Sequence, residues 1–194
     1  MASRSSRDSP SVDPVSTPDP GRDGQRARVY RAEDAWAARL DAARIGAVLA
    51  TVAGSSLLLP PERRLGSLSA AEDYCARVLA LPEVLARAGV LAAPALRTRR
   101  GARVAHWEPP GVIALPVPVH GEPWALRETV LLHELAHHVG ELAGLARGHR
   151  PPFPAVVLLL VQAVLGEQAA FALRVDYGHE RVQIGSLGHV EETR

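Results

Sequence analysis

One cysteine, Cys75, is all the thiol this 194-residue chain possesses. No disulfide framework can be built from it, and neither can a zinc ribbon, which needs four thiolates. Lysine is absent, so the 22 basic residues are all arginine; 21 acidic residues oppose them and leave a formal net charge of +1. A global field that would draw nucleic acid or an anionic membrane is therefore missing. Long apolar runs are missing too. The longest, Phe153 to Leu165, is interrupted by Gln162 and is too short to span a bilayer, so it reads as a buried helix. The opening residues MASRSSRDSP hold no apolar stretch of the secretion-signal kind. These absences lead to the expectation of a cytoplasmic chain with no membrane partner, in which any metal site must rest on histidines and carboxylates.

The length leaves room for one domain with a core, plus tails. Residues 1–28 are rich in Ser, Pro, Asp, Arg and Gly and poor in large apolar side chains. Such a segment buries too little surface to offset its chain entropy, so a disordered tail is expected there. The ordered domain is expected over 29–185, with a short tail over 186–194. Trp36, Leu40 and Ala43 recur at helical spacing in a first helix ending near Gly46. The apolar runs 47–52 and 56–59, parted by Ala53-Gly54-Ser55, read as a hairpin. Ser69, with Glu72 three residues on, reads as the capping box of a helix to about Leu81, and Pro82 restarts a short one. The segments 94–98 and 103–107 read as a second hairpin with a basic turn. Val112–Leu115, flanked by prolines, reads as an edge strand. Helices follow over about 124–143, 151–165 and 167–175, and the stretch from Tyr177 is ambiguous. A small mixed sheet followed by helices is an α+β arrangement.

The chemistry lies in His133-Glu134-Leu135-Ala136-His137, an HExxH motif within the longest amphipathic helix. Residues four apart lie about 40° apart around a helix, so both imidazoles project from one face and can converge on one zinc ion. Glu134, about 100° from the first ligand, can reach a water held there and take its proton without ligating the metal. Roughly 0.02 chance matches to HExxH are expected in a chain of this composition, so coincidence is a minor explanation. The adjacent His138 points about 100° away from His137 and is read as a supporting or solvated group. Gly140 begins an extended HExxHxxGxxH pattern, but Ala143 stands where its third histidine would be, so that reading fails.

Catalytic zinc needs a third protein ligand and an open position. Glu141, His149, Glu167, Asp176 and His179 are the downstream candidates. Glu141 is a turn too far along the same helix. His149 follows a glycine-bounded break, 144–148, that could reverse the chain toward the metal. It is preferred to Glu167, which can equally cap its own helix after Gly166.

The segment Val130–His138, followed by Gly148-His149-Arg150-Pro151-Pro152-Phe153, resembles the SprT-like and related small zincins. More closely, the chain resembles an actinobacterial family of metallohydrolases with the same HELAHH helix; that likeness also takes in Leu59–Arg63 and Ala170–Val175. The resemblance implies a compact zincin-like domain, His133, His137 and His149 as ligands of one zinc ion, and Glu134 as catalytic acid/base. It supplies no substrate. Arg150 and Pro152 depart from the SprT-like pattern, and without cysteines for a ribbon a DNA-linked role does not transfer.

The expected activity is hydrolysis of an amide in a protein or peptide. Tyr177, His179 and Arg174 are candidates for stabilising the oxyanion. His106 and His120 flank the strand 112–115, which could hold an extended peptide. Arg97, Arg99, Arg100 and Arg103 form a basic turn that is read as solvated, with nucleic-acid contact the minor reading. Two other classes compete: a non-catalytic metal-stabilised interaction module, and a phage- or toxin-type regulatory protein. An intact Glu134 argues against the first, because a structural site needs no general base.

Overall fold

The computed structural model describes residues 23–43, 48–99, 104–116 and 124–187. His120, Arg100 and Arg103 lie outside them, as do residues 1–22 and 188–194 of the two expected tails. The fold is α+β, as the element order implied. Its first helix, α1 (Arg26–Ala42), buries Val29, Ala32, Trp36 and Leu40 at spacings of three and four. It packs on the last helix, α6 (Glu167–His179), and Trp36 donates its indole N–H to the Ala169 carbonyl at 3.0 Å. The helix starts three residues before the expected Val29. Counting apolar residues misses this, because Asp23 and Gln25 are held by polar partners distant in sequence, His149 and Gln183.

β1 (Val48–Val52) and β2 (Ser55–Leu59) form the expected hairpin, turning at Ala53 and Gly54, both with positive φ. α2 (Leu68–Leu79) and α3 (Pro82–Ala88) follow. The N-cap of α2 is Ser67, accepting from the Ala70 N–H, rather than Ser69. Glu72 makes no capping box; its carboxylate accepts from the Leu96 N–H at 3.0 Å and ties α2 to the sheet.

That sheet departs most from expectation. β3 (Ala95–Thr98) and β4 (His106–Glu108) do not form a hairpin. β5 (Val112–Leu115) lies between them, parallel to β3 and antiparallel to β4. Ile113, Ala114 and Leu115 are fully buried. An unbroken apolar run marks a strand covered on both faces, a stronger signal than the flanking prolines that suggested an edge. β5 is therefore central and cannot hold a peptide along its side; β4 is the edge strand that adjoins the helix carrying the motif.

After a turn of 3-10 helix (Trp124–Leu126) comes α4 (Glu128–Leu142), which carries HExxH; α5 (Pro152–Leu165) packs on it and on α6. The start of α4 is fastened by residues 62–64. Glu62 accepts from the Thr129 N–H at 3.1 Å and the Thr129 hydroxyl at 2.5 Å, and pairs with Arg127 at 2.6 Å. It caps the helix from another segment, with its charge at the positive end of the helix dipole. Glu128, fully buried, accepts from the Tyr74 hydroxyl at 2.9 Å and the Arg63 N–H at 3.0 Å. Glu62→Ala is expected to lower stability by about 1–3 kcal/mol, the cost of leaving half-buried donors of Arg127 and Thr129 unmet. A urea melt would show it as a lower midpoint with an unchanged slope.

Candidate metal centre

Helical geometry places His133 and His137 one turn apart on α4, and the chain then reverses to return His149. Gly140 permits the reversal. The N–H groups of Leu145 and Ala146 both donate to its carbonyl, and a Cβ on Gly140 would lie 3.0 Å from the Ala146 Cβ and 3.2 Å from the Ala146 carbonyl oxygen. The glycine that failed to announce an extended metzincin motif thus serves close packing of the returning loop. Gly148, with φ of +52°, turns the chain into His149.

The ligand-capable nitrogens of His133, His137 and His149 all lie within 4.8 Å of one another, close enough to hold a metal ion. The Nε2 atoms of His133 and His149 are 3.3 Å apart. Three nitrogens around a tetrahedral metal, with bonds of about 2.0–2.1 Å, stand about 3.3 Å from each other. The other ring nitrogens set the tautomers. His133 Nδ1 is 2.6 Å from Glu33 Oε2, and His149 Nδ1 is 2.7 Å from Asp23 Oδ2. A carboxylate accepts, so each Nδ1 carries hydrogen and each Nε2 of the neutral ring is left with a lone pair. Two lone pairs facing at this distance repel unless a cation lies between them. A proton satisfies one pair of nitrogens; a metal ion satisfies all three.

Burial sets the charge states. It pushes His137 far below the ordinary imidazole range, reinforced by His133 and His149. His149 is also lowered, by burial and then by His133, against the pull of Asp23. At His133 burial again opposes the charge, but the Glu33 carboxylate more than offsets it and the net shift is upward. Phe153, fully buried, stacks on His137 at 4.3 Å and meets the other two rings edge-on, walling one side of the triad with apolar surface.

Glu134 is buried beside the triad. Its carboxylate receives the backbone N–H of Trp107 on β4, burial raises its pKa, and its Oε2 has no hydrogen-bond partner. An ionisable oxygen left unmet in the interior is costly unless a water or ligand meets it. The residues present therefore fit a metal ion with a polar ligand beside it.

His138 is neither a ligand nor solvated. It is buried, its Nδ1 accepts from the Trp107 indole at 3.2 Å, and its Nε2 donates to the Ala92 carbonyl at 2.7 Å. It pins α4 to β4 and the loop before β3. Glu167, at the exposed start of α6, lies in a depression with Leu58 and Pro60, away from the triad. Asp176 pairs with Arg39, Glu141 lies 3.8 Å from Arg147, and His179 is largely exposed. None of these joins the histidines. Of the three expected oxyanion donors, Arg174 and His179 are exposed, and Tyr177 has another task. Fully buried, it donates its hydroxyl to Glu33 Oε1 at 2.6 Å, which steadies the carboxylate on His133.

The supporting residues on and before α1 were not foreseen. Tyr30 stacks on His133 at 5.0 Å and lies 5.2 Å from the His149 ring; burial, then the Glu134 charge, raises its pKa, and the Arg26 guanidinium bonds to it. Arg26, Tyr30 and Glu33 form a polar stripe at spacings of four and three, about a quarter turn from the apolar stripe. That periodicity was present in the sequence. Gln25 adds a grip on the loop, its amide donating to the His149 carbonyl at 2.6 Å. Asp23→Asn is expected to weaken metal binding about 10–100-fold, measured by competition with a chromophoric chelator.

No protein family, curated protein or solved structure matches the chain. No helix among the described residues is long and apolar enough to cross a membrane.

Proposed function

We propose that this protein is a zinc-dependent hydrolase, a metallopeptidase of the small zincin kind, acting in the cytoplasm on a protein or peptide. The observation that carries the reading is the unpartnered Glu134 Oε2, buried beside three histidines whose ligand nitrogens lie within 4.8 Å of one another. Asp23 Oδ1 is unpartnered as well, but that carboxylate is spent on His149 through its Oδ2, whereas Glu134 has only the Trp107 N–H and leaves an oxygen open beside the triad. Three imidazoles suit zinc among the common divalent ions. The resemblance of Val130–His138 and Gly148–Phe153 to the HELAHH metallohydrolases, and more distantly to SprT-like zincins, points the same way.

When bound, zinc would supply Lewis-acid polarisation of the scissile carbonyl and a lowered pKa for water. The chain's residues do the rest. Glu134 Oε2 takes the proton of the attacking water and returns it to the leaving amine. The Trp107 N–H holds the other side of that carboxylate, so the base is aimed without being neutralised by a cation. Trp107 belongs to the edge strand β4, and that edge supports a reading in which extended substrate backbone lies along β4 beside Glu134. Tyr30, with Arg26 bonded to it, supplies a donor to the oxyanion. Glu33 and Asp23 keep His133 and His149 turned inward.

The test is digestion of a mixed peptide library by the zinc-loaded protein and by the same protein after chelation. Cleavage is expected only with zinc and should return when zinc is restored. A stoichiometric zinc protein that cleaves no peptide would overturn the peptidase assignment. Tyr30→Phe is expected to retain zinc and lower kcat by about 10²–10³-fold, as for loss of one oxyanion donor.

A further inference from the structure

A cavity of about 240 Å³ lies between α1 and α4. His133 and Glu134 form part of its wall, so it opens onto the reacting centre. The rest of its lining includes Trp36, Ala37, Val104, Trp124, Val130 and Val157. Val104 and Trp124 are exposed apolar side chains. Scattered exposed apolar residues need no explanation, but two on one cavity beside a catalytic carboxylate mark a place where apolar surface is to be covered. The Trp36 indole N–H is already taken by Ala169, so that ring brings no unmet polar group.

We propose that this cavity is the side-chain pocket of the substrate and that it selects a bulky aliphatic or aromatic residue beside the bond to be cut; the proposal rests on the hydrolase reading above. Its size points to one side chain, because pockets for whole small-molecule ligands begin at about 300 Å³. Its chemistry disfavours a basic side chain. Of the carboxylates on its wall, Glu33 is committed to His133 and Tyr177 and Glu134 is the base, which leaves Asp34, exposed to solvent at the rim. A Lys or Arg substrate side chain would cross an apolar wall to meet one solvent-screened charge. Ala37, on the face of α1 one turn from Glu33 and two from Tyr30, controls the depth.

Hydroxamates test the pocket without requiring hydrolysis, since their head group binds zinc and their tail can enter the cavity. Calorimetry on the zinc-loaded full chain would compare acetohydroxamate, 3-phenylpropanohydroxamate and 6-aminohexanohydroxamate. The phenyl compound is expected to bind at least about tenfold tighter than the acetyl one, and the amino compound no tighter. Ala37→Phe, and the milder Ala37→Leu should the first not fold, are expected to bring the affinity of the phenyl compound down to that of acetohydroxamate measured on the same variant. In the peptide library the same variants should shift cleavage from bulky apolar residues toward Ala and Gly. Equal binding of all three compounds, a preference for the basic tail, or an unchanged preference in a folded Ala37 variant each overturns the pocket. A chain that takes up no zinc overturns the hydrolase reading and the pocket with it. Hydroxamate selectivity without peptide cleavage keeps the pocket and removes only the peptidase assignment.

Discussion

Glu134→Gln is expected to bind one zinc ion as the wild type does and to lose hydrolysis by about 10²–10⁴-fold, the usual contribution of a positioned general base. The substitution preserves shape. The amide can still accept the Trp107 N–H, and its burial costs less than that of a carboxylate whose Oε2 is unpartnered. Stability should therefore hold or rise slightly. That combination separates a base from a structural carboxylate, whose removal would reduce stability or metal content. Single-turnover cleavage of a peptide found in the library screen, with zinc measured on the same sample, checks it. Activity within tenfold of wild type would remove Glu134 from the chemistry.

His149→Ala is expected to abolish zinc binding at micromolar free metal, a larger loss than the about 10–100-fold expected for a supporting residue such as Asp23. The reason is coordination number: a catalytic zinc site requires three protein ligands, and no other described carboxylate or imidazole joins His133 and His137 in a cluster of three. Stability gained from the metal goes with it. At free zinc 100 times the dissociation constant, binding adds about 2.7 kcal/mol to the wild type, and the variant should melt at the same temperature with and without zinc. Glu167→Ala is the control, since Glu167 is exposed and lies elsewhere; its zinc affinity should equal that of the wild type. Zinc lost from Glu167→Ala and kept in His149→Ala would reverse the assignment.

The parts of this site that were legible in the sequence are those governed by local geometry. His133 and His137 share a helix face because they are four residues apart, and a glycine-bounded break announced a reversal that could return His149. The rest depended on contacts across the chain. Asp23 meets His149 across 126 positions, Glu33 meets His133 across 100 and Tyr177 meets Glu33 across 144. No spacing rule reaches that far. Asp23 to Arg28 also lay inside a segment judged by its lack of apolar residues, whereas its order comes from polar contacts. The order of the sheet is hidden from the sequence for a related reason. A turn-like run at 99–102 suggested that neighbouring strands pair, but pairing is decided by which strand is buried on both faces, and that is β5. The angle of His138 to His137 does not give its role, which depends on Trp107 of β4 standing against it.

One open zinc site made by three histidines is tested most directly by zinc K-edge X-ray absorption on the purified, zinc-loaded protein. The predicted spectrum contains three imidazole rings at about 2.0–2.1 Å and no sulfur, with a further light-atom ligand that changes when acetohydroxamate is added. Two imidazoles, or a closed four-ligand shell indifferent to hydroxamate, would contradict it.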